Sequence, residues 1–338
     1  MKILAINCGS STLKTALFDR GQRLLSGSAG GIGSPRGHAT HAEAVLAALD
    51  ELPAPDAVGH RLVHGGPSLQ EPVKIDAHVL SLLREALPFA PLHLPAAIAA
   101  IEAVAQRFPK LPQVACFDTA FHRTLPEVAR RFPLPAAVVA LGVRRYGFHG
   151  LSYEWATSQV GASGRTVIAH LGNGASMCAV RDGVSIDTTM GLTPTGGLMM
   201  GTRAGDLDPG VIFFLLGRMP RAEVERMIER ESGLLGVSAT TSDMKALLAS
   251  SDPRAKLAVD MFCYQARKAA AALVAALGGL DTLVFTGGIG EHAKEIRDRI
   301  CAGLAHLGRF EVRVVAADEE RVIAAHTART VGTAALLS

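Results

Sequence analysis

One short unit is written into this chain twice, and it limits the fold more than any other feature. Ile3-Leu4-Ala5-Ile6-Asn7-Cys8-Gly9-Ser10-Ser11-Thr12, continuing through Ala16-Leu17-Phe18-Asp19-Arg20-Gly21, reads as strand, glycine turn, strand and polar hairpin end. Val167-Ile168-Ala169-His170-Leu171-Gly172-Asn173-Gly174-Ala175-Ser176, continuing through Cys178-Ala179-Val180-Arg181-Asp182-Gly183, repeats that order roughly half the chain later. Two chance hairpins are the competing explanation. The constraining one is a duplicated domain with a cleft between its halves. A third β-rich run at 283–285 also closes on glycine, and alanine- and leucine-rich stretches with helical spacing lie between, at 42–49, 96–106 and 255–277. Strands alternating with helices in this way predict an α/β fold.

The bulk numbers agree with an enzyme and exclude other classes. At 338 residues the chain exceeds the ~100–200 usual for one domain. It is 49% hydrophobic and 19% charged, which suits a packed core. Net charge is +3 with no block of like charges, so neither nucleic acid nor an anionic membrane is an expected partner. Five scattered cysteines without a Cys-x-x-Cys pair read as reduced thiols of a cytoplasmic protein. The first apolar run, 3–6, is short for a secretory segment, and the longest, 269–277, is about half of the ~18 residues of a membrane span.

The chemistry-bearing residues cluster in turns. The first turn carries Asn7, Gly9, Ser10, Ser11, Thr12 and Lys14, whose amides, hydroxyls and ammonium suit phosphate oxygens but equally suit a polar hairpin. In the second, Asn173-Gly174 fits a type I′ turn without further function. The third, Thr286-Gly287-Gly288-Ile289-Gly290-Glu291, leads from a strand into a helix, where free amides face an anion. Three such turns together favour a nucleotide cleft. Two arginines, Arg61 in Gly59-His60-Arg61-Leu62-Val63-His64-Gly65-Gly66 and Arg203 in Gly201-Thr202-Arg203-Ala204-Gly205, have glycine nearby on both sides. Their planar cations suit carboxylates or phosphates, or else structural ion pairs. Asp118 stands at the end of an apolar run and serves as an acid or as a helix N-cap; His149, between Phe148 and Gly150, serves as a site group or a satisfied loop residue. The twelve histidines show no metal-ligand spacing.

Taken in order, segments 7–14, 60–66, 91–93, 117–122, 145–150, 170–174, 187–208, 232–244 and 285–291 resemble the acetate kinase family over nearly the whole chain. That resemblance implies the duplicated actin-like (ribonuclease H-like) fold, with an interdomain nucleotide cleft and domains at 1–118 plus 318–338 and at 119–317. It implies reversible transfer of the ATP γ-phosphoryl to acetate, giving acetyl phosphate and ADP, with Mg²⁺ or Mn²⁺, in a cytoplasmic homodimer. Asp118, His149 and Arg203 then match catalytic groups, and Arg61 the group that binds the acetate carboxylate. Val63, Leu92, Phe148 and Pro194 match the wall around the methyl, and Asn7 and Glu319 the metal site. Lys14, His170, Leu171, Gly172, Asn173, Gly174, Asp243, Met244, Lys245, Gly288, Ile289, Gly290, Glu291 and His292 match nucleotide contacts.

Physical chemistry makes sense of these roles. A carboxylate nucleophile is already ionised at neutral pH and needs no general base, so the obstacle is repulsion between two anions, which fixed cations lower. Asp118 is accordingly expected to organise an arginine or the metal more than to take a proton. Valine at 63 narrows the acyl pocket toward acetate, although one methylene is worth only ~1–3 kcal/mol and a propionate or butyrate kinase would share every phosphate-handling residue. A non-catalytic actin-like nucleotide-binding protein would need the glycine turns but not both arginines. The chain departs from the family pattern in its shorter length, in Lys245 for arginine, His292 for asparagine, Thr12 for serine, and in Leu94 and Asp318, each for asparagine. Lysine lacks the flat face that stacks on a base, which loosens the expected base preference.

Overall fold

In the computed structural model, which describes residues 1–9, 12–34 and 37–335, the repeated hairpin becomes the start of two sheets with one strand order. Ser10 and Ser11 of the first turn, and 336–338 at the end of the expected first domain, lie outside the described residues. The first sheet contains β1 (Lys2–Cys8), β2 (Thr12–Asp19), β3 (Gln22–Gly30), β4 (Ala57–Leu62), β5 (Val73–Lys74) and β6 (Gln113–Phe117), in the order β3-β2-β1-β4-β6-β5. The second contains β7 (Arg165–Leu171), β8 (Ala175–Arg181), β9 (Val184–Thr188), β10 (Thr282–Thr286) and β11 (Glu311–Val314), in the order β11-β10-β7-β8-β9. Directions match strand for strand: an antiparallel β1-β2-β3 or β7-β8-β9 meander, then parallel β4 and β6 or β10 and β11. This is the duplicated actin-like architecture.

The hairpin ends differ from expectation in one place. Neither Asn173 nor Gly174 has positive φ; the paired left-handed residues are Arg20-Gly21 (47° and 79°) and Asp182-Gly183 (50° and 79°), which close β2–β3 and β8–β9. The 172–174 turn is held from outside instead: Gly172 N–H donates to Gly174 O at 3.0 Å, and Gly201 N–H to Asn173 O at 2.9 Å.

The central strands of the first sheet, β1, β4 and β6, are buried on both faces, which is why β1 reads as a continuous apolar run, whereas the edge strand β3 is exposed. Leu4 and Ile6 point into one core with Val45 and Leu49 of the helix His41–Glu51 and with Ala100 and Val104 of the helix Leu94–Arg107. Ile3 and Ala5 point into the other, with Leu151, Val322 and Ile323. Gly59 admits the helix Glu319–Ala335 on that second face, since a Cβ there would stand 2.1 Å from Thr327 Oγ1 and 2.6 Å from Ile323 Cγ2. That close approach sets the helix start, Glu319 and Glu320, at the ends of the parallel strands.

Two compact units result: Met1–Arg123, Phe148–Trp155 and Asp318–Ser338 in one, Thr124–Gly147 and Ala156–Ala317 in the other. Relative to the expected boundaries, 119–123 and Phe148–Trp155 pack with the first unit, because Leu151 and Trp155 complete its second core. In the second unit a 25-residue helix, Pro253–Leu277, begins on an Asp252 cap and stops at left-handed Gly278. Among the described residues no helix is long and apolar enough to cross a membrane.

Candidate active site

In the first unit the candidate site lies at the carboxyl ends of β1, β4 and β6, where open α/β sheets bind ligands. Register brings its residues together: Ile6 pairs with His60, Arg61 with Cys116, and Asp118 N–H donates to Leu62 O at 3.0 Å one step beyond β6. Arg61 therefore meets Asp118 as a fork, Nε to Oδ1 at 2.8 Å and Nη2 to Oδ2 at 2.6 Å. Its third nitrogen donates to Asn7 Oδ1 at 2.9 Å. Asn7 Nδ2 in turn donates to Glu319 Oε2 at 2.9 Å and Glu320 Oε1 at 2.8 Å. Arg61, Asp118, Asn7 and Glu319 are thus one network. Glu320 belongs to it too, and its signal in the sequence was the doubled acid of Asp318-Glu319-Glu320.

Burial decides the electrostatics. Loss of water raises the Asp118 carboxyl above its usual range, while the charge and hydrogen bonds of Arg61 pull it back. For Arg61 burial works against the charge, and the carboxylates of Asp118, Glu319 and Glu320 outweigh it, holding the guanidinium above its ordinary value. Of the two readings of Arg61, the structure shows the ion pair. Three of the five guanidinium N–H groups face Asp118 and Asn7, and the side chain is still 15% exposed.

His149 is fastened to the same carboxylate. Its backbone N–H donates to Asp118, and Gly150 N–H donates to Asp118 O at 2.9 Å. The residue is held at φ 58°, left-handed for a non-glycine, and strain of this kind collects at functional sites. Gly150 is required there, since a Cβ would lie 2.2 Å from Asp118 O. Of the expected acyl wall, Val63 and Phe148 are buried and Leu92 is 38% exposed; Phe148 packs edge-on against His64 at 5.5 Å. Pro194 lies in the second unit.

That unit gathers the expected nucleotide residues around a cavity of about 770 Å³, in the range of small-molecule sites. Gly172, Asn173, Asp243, Met244, Lys245, Gly288, Ile289 and His292 line it, joined by Ser242, Leu248 and Ala293, which the sequence reading missed. Gly287, at φ 78°, makes the strand-to-helix turn, where a Cβ would meet Leu171 O at 2.9 Å. Other expected contacts frame the cavity without lining it. Leu171 is fully buried, and Glu291 Oε1 is engaged by Gly287 N–H and Ala317 N–H, both at 3.0 Å. His170, next to the last residue of β7, pairs with Thr286, Gly174 closes the 172–174 turn, and Gly290 lies within the helix Gly287–His292. Lys14 is exposed on β2 in the first unit, opposite Asn7. Arg203 donates to Pro194 O at 2.8 Å, and its loop is tied to the 172–174 turn through Gly201 N–H on Asn173 O.

A duplicated actin-like fold with a glycine-edged, nucleotide-sized cavity in one unit and an oriented arginine–carboxylate network in the other defines a nucleotide-dependent phosphotransferase. Residues 36–333 match the profile of the acetokinase family. An acetate kinase of Rhodopseudomonas palustris is 48% identical over 346 aligned positions, covering 90% of this chain and 87% of its own. Among solved structures, a propionate kinase from Francisella tularensis superposes with a TM-score of 0.91 at 36% identity, covering 97% of this chain and 99% of its own. An acetate kinase from Porphyromonas gingivalis gives 0.85 at 35%, covering 98% and 99%. The chain belongs to the acetokinase family.

Proposed function

We propose that this kinase transfers the γ-phosphoryl of ATP to acetate by direct in-line displacement, and the reverse. A bond forms between one acetate oxygen and the γ-phosphorus as the bond from phosphorus to the β,γ-bridging oxygen breaks, and that electron pair leaves on ADP. No proton moves, because the acceptor is already an anion. The observation that carries the reading is the Arg61 guanidinium, fixed by Asp118 and Asn7 with N–H groups left over. It is a preorganised cation of the kind that draws in a carboxylate and offsets charge as it develops. His149, seated on Asp118, and Arg203, anchored on Pro194, are the other two groups assigned to the phosphoryl oxygens. Asp118 acts as a clamp on Arg61 and not as a base.

The donor chemistry around Asn7 fits a hard divalent ion. Glu319 and Glu320 offer carboxylate oxygens beside an amide, and Mg²⁺ characteristically takes one or two carboxylates and completes its shell with water and substrate phosphates. Among the described residues no cluster of three or more His, Cys, Asp or Glu could hold an ion alone, which agrees with a shell that the nucleotide completes. Glu319 and Glu320, with Asn7 between them, would hold Mg²⁺ or Mn²⁺, whose charge neutralises the phosphates. A second copy of the chain suits the helix Pro209–Leu216, where Phe213 and Phe214 are 73% and 57% exposed, and we assign the homodimer contact to that apolar face. Five free thiols and the use of ATP support a cytoplasmic location.

The test is a hydroxylamine trap for acyl phosphate with ATP and acetate, propionate or butyrate. Acetate is expected to give the highest kcat/KM. The likeness to a propionate kinase favours one alternative acceptor, and a higher kcat/KM for propionate replaces acetate with it. Absence of trapped product with every acid removes the reading altogether.

A further inference from the structure

The loop that presents Arg203 is built onto the end of a helix. The helix Arg221–Arg230 finishes, like any α-helix, with carbonyls that have no donor within it. Two consecutive ones are met by the residues on either side of Arg203. Ala204 N–H donates to Ile228 O at 3.0 Å, and Thr202 Oγ1 donates to Glu229 O at 3.3 Å. Ser232 N–H closes back on Thr202 O at 3.0 Å, and Met200 N–H donates to Arg203 O at 3.1 Å. Gly233 permits this crossing: at φ 64°, a Cβ there would stand 2.2 Å from Met200 O and 2.7 Å from Arg203 O. The backbone of Arg203 is thus fixed to the last turn of one helix.

The same turn delivers a carboxylate. Glu229 is half-buried, and its Oε1 accepts a long hydrogen bond from Thr195 Oγ1 at 3.5 Å. Thr195 follows Pro194, whose carbonyl accepts from the Arg203 guanidinium at 2.8 Å. Glu229 and Arg203 are therefore bonded to neighbouring residues of one short segment. Of the charges acting on the Glu229 carboxyl, that of Arg203 is the strongest, ahead of Glu225 and Arg230, and it pulls down a group that burial raises. An acid in this place also breaks a local rule. The last turn of a helix carries partial negative charge and disfavours a carboxylate, so one retained there points to a task outside the helix.

We propose, resting on the role given to Arg203 above, that Glu229 is a positioning residue for phosphoryl transfer, whose carboxylate keeps the Arg203 guanidinium aimed before the phosphoryl group arrives. A long arginine side chain left to rotate would give up that freedom at the moment of reaction, whereas one already oriented does not. Pro194 O fixes one of its nitrogens, and Glu229 adds a charge that stays in place. A carboxylate beside Arg203 lowers the positive potential that draws in a nucleotide. Its removal therefore affects turnover and spares ATP binding.

Glu229→Gln isolates the charge, since the amide oxygen keeps the size and can still accept from Thr195 Oγ1. Steady-state rates of the full chain with ATP, acetate and Mg²⁺ are expected to show kcat about tenfold lower, with KM for ATP no more than about twofold above wild type and an unchanged thermal melt. Glu225→Gln is the control. Glu225 lies one turn earlier on the same helix, exposed and paired with Arg221 at 2.7 Å, and its loss should leave kcat within about twofold. The decisive measurement is the double variant: once Arg203 is alanine, Glu229→Gln should lower kcat no further. Three outcomes overturn the proposal: kcat of Glu229→Gln within about twofold of wild type, an equal loss with and without Arg203, or a KM for ATP that rises as much as kcat falls. A normal rate in Arg203→Ala alone is a separate failure, because it removes the role of Arg203 itself; a slow Arg203→Ala beside a normal Glu229→Gln removes only Glu229.

Discussion

Replacing Gly150 by alanine attacks the site without removing a single charged or hydrogen-bonding group. The new Cβ would stand 2.2 Å from Asp118 O and 2.9 Å from Phe121 Cβ. The first of these atoms is backbone, and it accepts the Gly150 N–H at 2.9 Å, so no flexible side chain can absorb the clash. Ordinary contact begins near 3.4 Å, which leaves roughly 1 Å to be found by lifting the His149–Gly150 turn off Asp118. His149 moves with it, and so does its amide bond to the Asp118 carboxylate. A displacement of about 1 Å near a reacting centre costs on the order of 10²-fold in rate, or about 2.7 kcal/mol of barrier. Overpacking should also cost about 1–3 kcal/mol of stability. The assay is kcat/KM for trapped acetyl phosphate, with a thermal melt on the same samples. Gly332→Ala is the control: a Cβ there meets nothing within 4 Å, so the helix should gain about 0.5–1 kcal/mol while the rate holds. If Gly150→Ala keeps kcat/KM within about threefold of wild type and melts normally, the fastening of His149 to Asp118 does not set the active geometry.

Three further outcomes follow from the same geometry. His60, buried beneath the site and bonded to Gln113 at 2.7 Å, is held neutral by burial down to about 4, with Gln113 offsetting a part. The unfolded chain therefore binds more protons between about pH 6.5 and pH 4, so stability should fall through that window as pH drops, by on the order of 3 kcal/mol from this group. His60→Gln should flatten the slope of urea midpoints, and an identical slope in the variant would refute the assignment. Glu320→Gln removes one of the two carboxylates on Asn7 and should raise the Mg²⁺ concentration for half-maximal activity about 10- to 100-fold; an unchanged Mg²⁺ titration takes Glu320 out of the metal site. Arg203→Ala should lower kcat by about 10²–10³ while ADP affinity stays near normal, because Arg203 is not among the residues that line the nucleotide cavity. A near-normal kcat would remove Arg203 from the mechanism.

Much of the fold was readable because its signals are local. The β-rich runs at 3–6, 167–169 and 283–285 became β1, β7 and β10, and the alanine-rich stretches became helices whose ends extend the expected ranges by at most two residues. The glycine turns were found because close backbone approach leaves no alternative residue, as Gly287 against Leu171 O illustrates. The Asn173-Gly174 turn type was misjudged, since a contact from Gly201, distant in sequence, overrides the local preference. That Phe148–Trp155 packs with the first unit was not legible for a similar reason: Leu151 is an ordinary apolar residue until the core it completes is known.

The sequence by itself determined the kind of sheet, its duplication, and the residue types available for holding phosphate and carboxylate, because periodicity, turn chemistry and charge are properties of neighbouring residues. Only the tertiary structure decided how Arg61 is used. Asn7 and Glu319 are 312 positions apart, and they meet through the parallel crossovers that bring strand ends together and through the missing side chain at Gly59 that lets the last helix settle on β4. Once there, one guanidinium is shared between an aspartate and an asparagine, and His149 is bent onto the same aspartate. A linear pattern can name the groups in such a network, but which of them spend their hydrogen bonds on one another depends on distances that the packed chain alone defines.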